Sequence, residues 1–242
     1  MLRLEHVAWD LPGGGAIIKD IDLALEDHKL IVVTGPNGGG KTTLAKLIAG
    51  VEPLTSGRIE FDGEDITRLD ITQRAQRGIA YAFQQPVRFK GLTVRDLLEL
   101  SAGQALCEQA VCDLLGKVGL CANEYIDREL NASLSGGEIK RIEIASVLAR
   151  DAKLFLFDEP EAGIDLWSFT RLVETFQDLR AQGRGTLVII SHQERILSIA
   201  DEIVVIDGGR VREHGPREAV LPRLLGEEKA GVCPLGKEAT AL

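Results

Sequence analysis

Residues 35–43 read GPNGGGKTT, directly after LIVVT at 30–34 and directly before LAKLIAG at 44–50. The upstream segment is short, almost wholly apolar and rich in β-branched residues, the pattern of a strand buried on both faces. Downstream, Leu44, Leu47 and Ile48 share one helical face and Gly50 supplies a stop. The loop between them fits G-x-x-x-x-G-K-[ST], and it sits between a strand and a helix, as that motif requires. Gly35, Pro36, Asn37, Gly38, Gly39 and Gly40 shape a cradle whose N–H groups can surround a phosphate, with Thr43 closing it. Lys41 is placed to reach the β- and γ-phosphates, and the Thr42 hydroxyl to ligate Mg²⁺. A nucleoside triphosphate is the expected ligand.

Outward from this loop the chain alternates strands and helices. LRLEHV and AIIKDIDLAL read as antiparallel strands joined through the turn-forming PGGG at 12–15. RIEF, GIAYAF, KLFLF, TLVII and EIVVI are further strand candidates, with helical patterns over 166–182, 192–200 and from the SGG at 135–137 to about Arg150. Between residue 86 and residue 133 the periodicity is helical throughout, carried by Val94, Leu97, Leu98, Val111, Leu114 and Leu115. The expectation is an α/β chain with a largely parallel sheet, an N-terminal antiparallel β subdomain and an α-helical insertion. Residues 1–85 and 134–225 would form the nucleotide-binding core, 86–133 the insertion and 226–242 a flexible tail.

Composition agrees with a single such domain. The 242 residues are 45% hydrophobic, 27% charged and only 5% aromatic, so the core should be aliphatic. A formal charge of −9 argues against a nucleic-acid surface. No apolar run reaches the roughly 18–20 residues of a membrane span, and MLRLEHVAWD lacks a signal-like apolar segment. A cytoplasmic protein, reaching a membrane only through a partner, is expected. Cys107, Cys112, Cys121 and Cys233 show no C-x-x-C spacing and read as reduced thiols.

LFLFDEP at 154–160 is a buried strand ending in two carboxylates. Asp158, at its C-terminal edge, is the expected Mg²⁺ partner, and Glu159 the group that orients and deprotonates the attacking water. A second glycine loop, LSGGE at 134–138, again precedes a helix, so the chain carries two phosphate cradles.

GPNGGGKTT, LSGGE and FDEP, in that order and with a helical insertion between the first two, resemble the motifs of the ATP-binding-cassette (ABC) ATPases, which are P-loop NTPases with a RecA-like core. The likeness covers nearly the whole chain. It implies that two chains pair head to tail, as a homodimer or beside another cassette. Ser135, Gly136 and Gly137 of one would then serve the ATP held by the other. It further implies that Gln84 is the glutamine-loop residue near Mg²⁺ and the lytic water, with Gln85 the neighbouring alternative. His192 would contact the γ-phosphate, and Asp165 would cross the dimer interface. Most relatives stack adenine on an aromatic residue near the N-terminus; here the matching position is Leu11, with Trp9 two residues away.

Within the family, Arg74-Ala75, Ala82-Phe83-Gln84, Pro86-Val87, Lys140-Arg141 with Glu143, and Arg195-Ile196-Leu197 are similar to the ATPase of the Suf iron–sulfur cluster assembly system. Gln85 and Arg88 depart from it, and DEPEAGIDLWSF matches it only loosely. The resemblance implies a SufB- or SufD-like scaffold as partner; the alternative is the membrane subunit of an ABC transporter. In either case the partner is expected in the cleft walled by residues 85–89 and the start of the 94–101 helix, with Phe89 as an anchor between Arg88 and Lys90.

Overall fold

Strand β1 (Leu2–Asp10) pairs antiparallel with β2 (Ala16–Leu25) in the computed structural model, which describes residues 2–87, 89–131 and 133–229. Leu2 and Leu4 point inward; then His6, at φ 49°, opens a bulge that shifts the alternation by one residue. Val7 and Trp9 are the next inward side chains. After β3 (Leu30–Thr34), buried at all five positions, comes α1 (Lys41–Ala49), which Gly50 ends in the left-handed conformation at φ 77°. Strands β4 (Ser56–Phe61) and β5 (Glu64–Asp65) complete a four-stranded antiparallel sheet in the order β2-β1-β4-β5.

Helix α2 (Ile71–Gln76) was not legible in the sequence, being six residues long and mostly polar. It carries Arg74, which is 1% exposed. The guanidinium donates to the carbonyls of Leu47 and Ile48 at the end of α1, and to those of Leu69 and Thr67. A cation thus sits against carbonyls at the end of the phosphate-loop helix, favourable at that end of the helix dipole.

The second sheet has the order β10-β9-β3-β8-β7-β6, from β6 (Ile79–Ala82), β7 (Leu154–Asp158), β8 (Thr186–Ile190), β9 (Glu202–Asp207) and β10 (Arg210–Pro216). All neighbours are parallel except β9 and β10. The strands β3, β7 and β8 are buried along their whole length, as their continuous apolar runs require. One core joins α1 and the antiparallel sheet to one face of this sheet. The other joins its opposite face to the insertion helices α3 (Val94–Ala102), α4 (Glu108–Lys117) and α5 (Ala122–Tyr125) and to α6 (Gly136–Ala149) and α7 (Leu166–Ala181).

Helix α8 (Glu194–Leu197) follows β8, shorter than the expected 192–200, and α9 (Arg217–Lys229) closes the described chain. The expected tail is corrected in part: Gly226 to Lys229 continue α9, while 230–242, with Cys233, lie outside the described residues. Among the described residues, Cys107, Cys112 and Cys121 are free and exposed, and no helix is long and apolar enough to cross a membrane.

Candidate active site

The phosphate loop leaves the C-terminal edge of the central strand β3, where ligands gather in parallel sheets. Close approaches constrain several of its glycines. A Cβ on Gly35 would stand 2.0 Å from the Ile206 carbonyl oxygen, and one on Gly40 would stand 2.6 Å from Ile18 Cδ1. Gly38, at φ 77°, faces open space. Lys41 curls over the loop and donates to the carbonyls of Gly35 (2.7 Å) and Pro36 (2.9 Å). Burial lowers its pKa, while the charges of Glu159 and Asp158 work the other way.

A cleft of about 510 Å³ opens over this loop, lined by Asn37, Gly38, Gly40, Lys41, Thr42 and Thr43 together with Gln84, Glu159 and His192. Asp158 does not line it; fully buried behind Thr42, it accepts hydrogen bonds from Thr42 Oγ1 and Tyr81 Oη, each at 3.1 Å. Burial raises the pKa of Asp158 and the two hydroxyls restrain it. Thr42 and Gln84 both line the cleft and Thr42 bonds Asp158, so the three offer oxygen donors of the kind a hard cation such as Mg²⁺ prefers.

Glu159 turns the chain at φ 45°, a left-handed conformation uncommon outside glycine, with its N–H on the Ile190 carbonyl at 3.0 Å. That turn lifts its carboxylate into the cleft, where Gln84 Nε2 donates to it at 2.8 Å and His192 Nε2 lies 3.5 Å away. The three residues assigned to catalysis therefore meet, and Gln84 rather than Gln85 makes the contact. Behind them, Ser191 Oγ donates to Glu161, whose pKa burial raises.

The second cradle stands apart. Ser135, Gly136 and Gly137 do not line the cleft, and neither does Asp165. Ser135 caps α6 through a capping box: its hydroxyl accepts from the Glu138 N–H, and Glu138 accepts from the Ser135 N–H. Tyr125 also donates to Glu138, and these bonds hold that carboxyl down to about 2. Asp165 caps α7, accepting from the N–H groups of Trp167 (3.1 Å) and Ser168 (3.0 Å). A Cβ on Gly137 would lie 2.6 Å from the Gly163 carbonyl, so the two loops pack together on one surface.

Three features escaped the sequence reading. Ile17, the first residue of an apolar pair after the PGGG turn, lines the cleft. Tyr81 holds Asp158, and no motif marks it. Lys140 is 1% exposed; its ammonium donates to the carbonyls of Phe83, Gln84 and Asp158 and pairs with Glu143 at 3.5 Å. As for adenine, Trp9 belongs to the core at 9% exposed, whereas Leu11 is 48% exposed.

A model of the ABC transporter family matches residues 18–162. An uncharacterized ABC transporter ATP-binding protein of Methanocaldococcus jannaschii is 37% identical over 232 residues, covering 91% of this chain and 90% of that protein. The lipopolysaccharide export system ATP-binding protein LptB of Escherichia coli is 32% identical over 216 residues, 86% of this chain and 88% of its own. In fold, the chain matches a dimeric ATP-binding cassette in a post-hydrolysis state with ADP and Pi (TM-score 0.80, 21% identity, 90% of this chain and 99% of that one). It likewise matches an ATP-bound bacterial Atm1-family exporter (TM-score 0.83, 23% identity, 95% of this chain and 41% of that one).

Proposed function

Because the chain belongs to the ABC transporter ATP-binding cassette family, we propose that this ATPase is the motor subunit of a transporter, acting as an ATP-dependent pair of cassettes on a membrane partner. The relatives named above are transporter ATP-binding proteins, which reverses the order of the two partner readings drawn from the sequence. The SufB- or SufD-like scaffold becomes the alternative outcome.

The observation that carries the reading is a complete nucleotide cleft with the signature loop outside it. Lys41 would hold the β- and γ-phosphates and the loop N–H groups the β-phosphate. Mg²⁺, when bound by Thr42 and Asp158 with Gln84 nearby, neutralises phosphate charge. Glu159, held by Gln84 and close to His192, is placed to orient a water and accept its proton as that water attacks the γ-phosphorus. Ser135 and two backbone N–H groups from the second cassette would complete each site. At about 1.5–3 kcal/mol per charge-assisted bond, six bonds supply roughly 9–18 kcal/mol against an association cost of about 4–15 kcal/mol. The ranges overlap, so loss of the γ-phosphate is enough to part the pair.

The partner is proposed to dock in a separate groove of about 190 Å³, lined by Phe83, Val87, Phe89, Leu97 and Glu143 among others. Phe89 stands there 39% exposed, as an anchor would. Gln85 and Pro86 do not line this groove, contrary to the sequence expectation, and Arg88 lies outside the described residues.

Sedimentation tests the shared site. Glu159→Gln, which keeps binding but loses the base, should accumulate as a dimer with Mg-ATP, and Ser135→Arg should remain monomeric. A Glu159→Gln protein that stays monomeric at high concentration refutes the model. Copurification then separates the partners, a detergent-requiring protein supporting the transporter reading and a soluble iron–sulfur scaffold overturning it.

A further inference from the structure

Trp167 is 84% exposed and Leu166, beside it, 66%. They form the first turn of α7, immediately after Asp165. A tryptophan carries about 150–250 Å² of surface for burial, and leaving it in water forfeits that stabilisation. Nor is this turn loosely held. Asp165 caps it through two N–H groups, and Arg141 bridges it to the signature helix by donating to Ser168 Oγ (2.8 Å) and to the Gly137 carbonyl (3.3 Å). The backbone that carries the knob is therefore fixed, so only side-chain ordering is lost when something covers it.

We propose that Leu166 and Trp167 form an apolar knob that docks on a second copy of this chain when ATP draws two cassettes together. This rests on the shared-site reading above. Continuity decides the occupant: the knob follows Asp165, its loop packs at Gly163 on Gly137, and Ser168 after it is tied to Arg141 of the signature helix, the surface which that reading turns toward the second copy. The groove assigned to the membrane partner is lined by other residues, with neither Leu166 nor Trp167 among them. The area is in proportion. Two knobs in a symmetric pair would cover roughly 300–400 Å² of tryptophan surface, a substantial share of the ~1,200–2,000 Å² of a stable interface. Tryptophan is also among the residues that dominate such interfaces.

The chain holds two tryptophans, and Trp9, in the core, supplies a constant background to the emission of Trp167. The experiment uses the full-length Glu159→Gln protein alone, so that only a second copy is available, with Mg-ATP and with Mg-ADP. With Mg-ATP, dimer formation by sedimentation should coincide with a blue shift and reduced acrylamide quenching. Trp167→Phe in the same background should dimerise within a few-fold and lose the shift, which assigns the signal. Trp167→Ala should weaken the dimer tenfold or more with an unchanged melting temperature. A dimer in which Trp167 stays fully quenchable, or one that Trp167→Ala leaves equally tight, overturns the knob while the shared site stands. Absence of any dimer overturns both.

Discussion

Replacing Arg74 by Met tests whether a buried cation, rather than a side-chain cap, secures the phosphate-loop helix. The guanidinium makes four bonds to neutral carbonyls, at 2.6 Å to Leu47, 2.9 Å to Ile48, 2.9 Å to Leu69 and 3.1 Å to Thr67. At about 1.5–3 kcal/mol for each bond from a charged donor, the gross stabilisation is roughly 6–12 kcal/mol. Against it stands the several kcal/mol needed to keep an ion out of water, a cost visible in a pKa that burial lowers to about 10. Met fills much of the volume without that cost but removes all four bonds, although Leu47 keeps the Gly50 N–H at 3.3 Å. The net loss should be about 2–4 kcal/mol, which for a domain of this size lowers the melting temperature by roughly 4–16 °C. ATP affinity should hold within a few-fold, because Arg74 grips the end of α1 remote from Lys41. Calorimetry with and without nucleotide reads both quantities. A melting temperature within about 2 °C of the native protein, or a collapse of ATP affinity at unchanged stability, would refute this account.

Two further outcomes concern the nucleotide. Tyr81→Phe removes a 3.1 Å donor from buried Asp158, a bond to a charged group of about 1.5–3 kcal/mol; a Mg²⁺ titration of ATP hydrolysis should show a requirement raised tenfold or more, and an unchanged one would reduce Tyr81 to packing. With Trp9 in the core and Leu11 at the surface, ATP and GTP should bind within a few-fold of each other, and Leu11→Tyr should tighten ATP by up to about 1–1.5 kcal/mol of stacking; a native preference for ATP above a hundredfold would mean that another ring already holds the base.

The central sheet was legible because strands buried on both faces leave continuous apolar runs, as in LIVVT, LFLF and TLVII. The insertion was legible because its helices keep the 3.6-residue period. Strand β10 was not: at the sheet edge its RVREHGP alternates between exposed and half-buried positions, with only one strongly apolar residue to announce it. The cleft divides in the same way. Lys41, Thr42, Asp158 and Glu159 sit in motifs whose spacing is fixed by the phosphate they surround. Tyr81 and Ile17 arrive from other strands, and their proximity to the loop is a product of tertiary packing that no local pattern encodes. The inward placement of Trp9 turned on a bulge. Glu5 and His6 shift the alternation, and only the register shows that Val7 and Trp9 then face the core.

The same distinction explains why the partner was harder to read than the chemistry. Several residues behind the Suf likeness lie inside the molecule. Arg74 binds carbonyls in the core, Lys140 is buried beneath Phe83, Gln84 and Asp158, and Glu143 accepts the Phe83 N–H at 3.0 Å. They describe how one cassette is wired between its glutamine loop, its catalytic strand and the start of its signature helix. Such wiring constrains the motor, and any machine that uses the motor can inherit it. The partner proposed above would instead meet the rim of the groove at Val87, Phe89 and Ser101. Glu143 and Phe83 belong to both sets: each lines the groove, Glu143 pairs with Lys140, and the Phe83 carbonyl accepts from the same ammonium. Under the docking proposed above, an apolar anchor carrying a hydrogen-bond donor is the chemistry that would fit this groove beside Phe83 and Glu143.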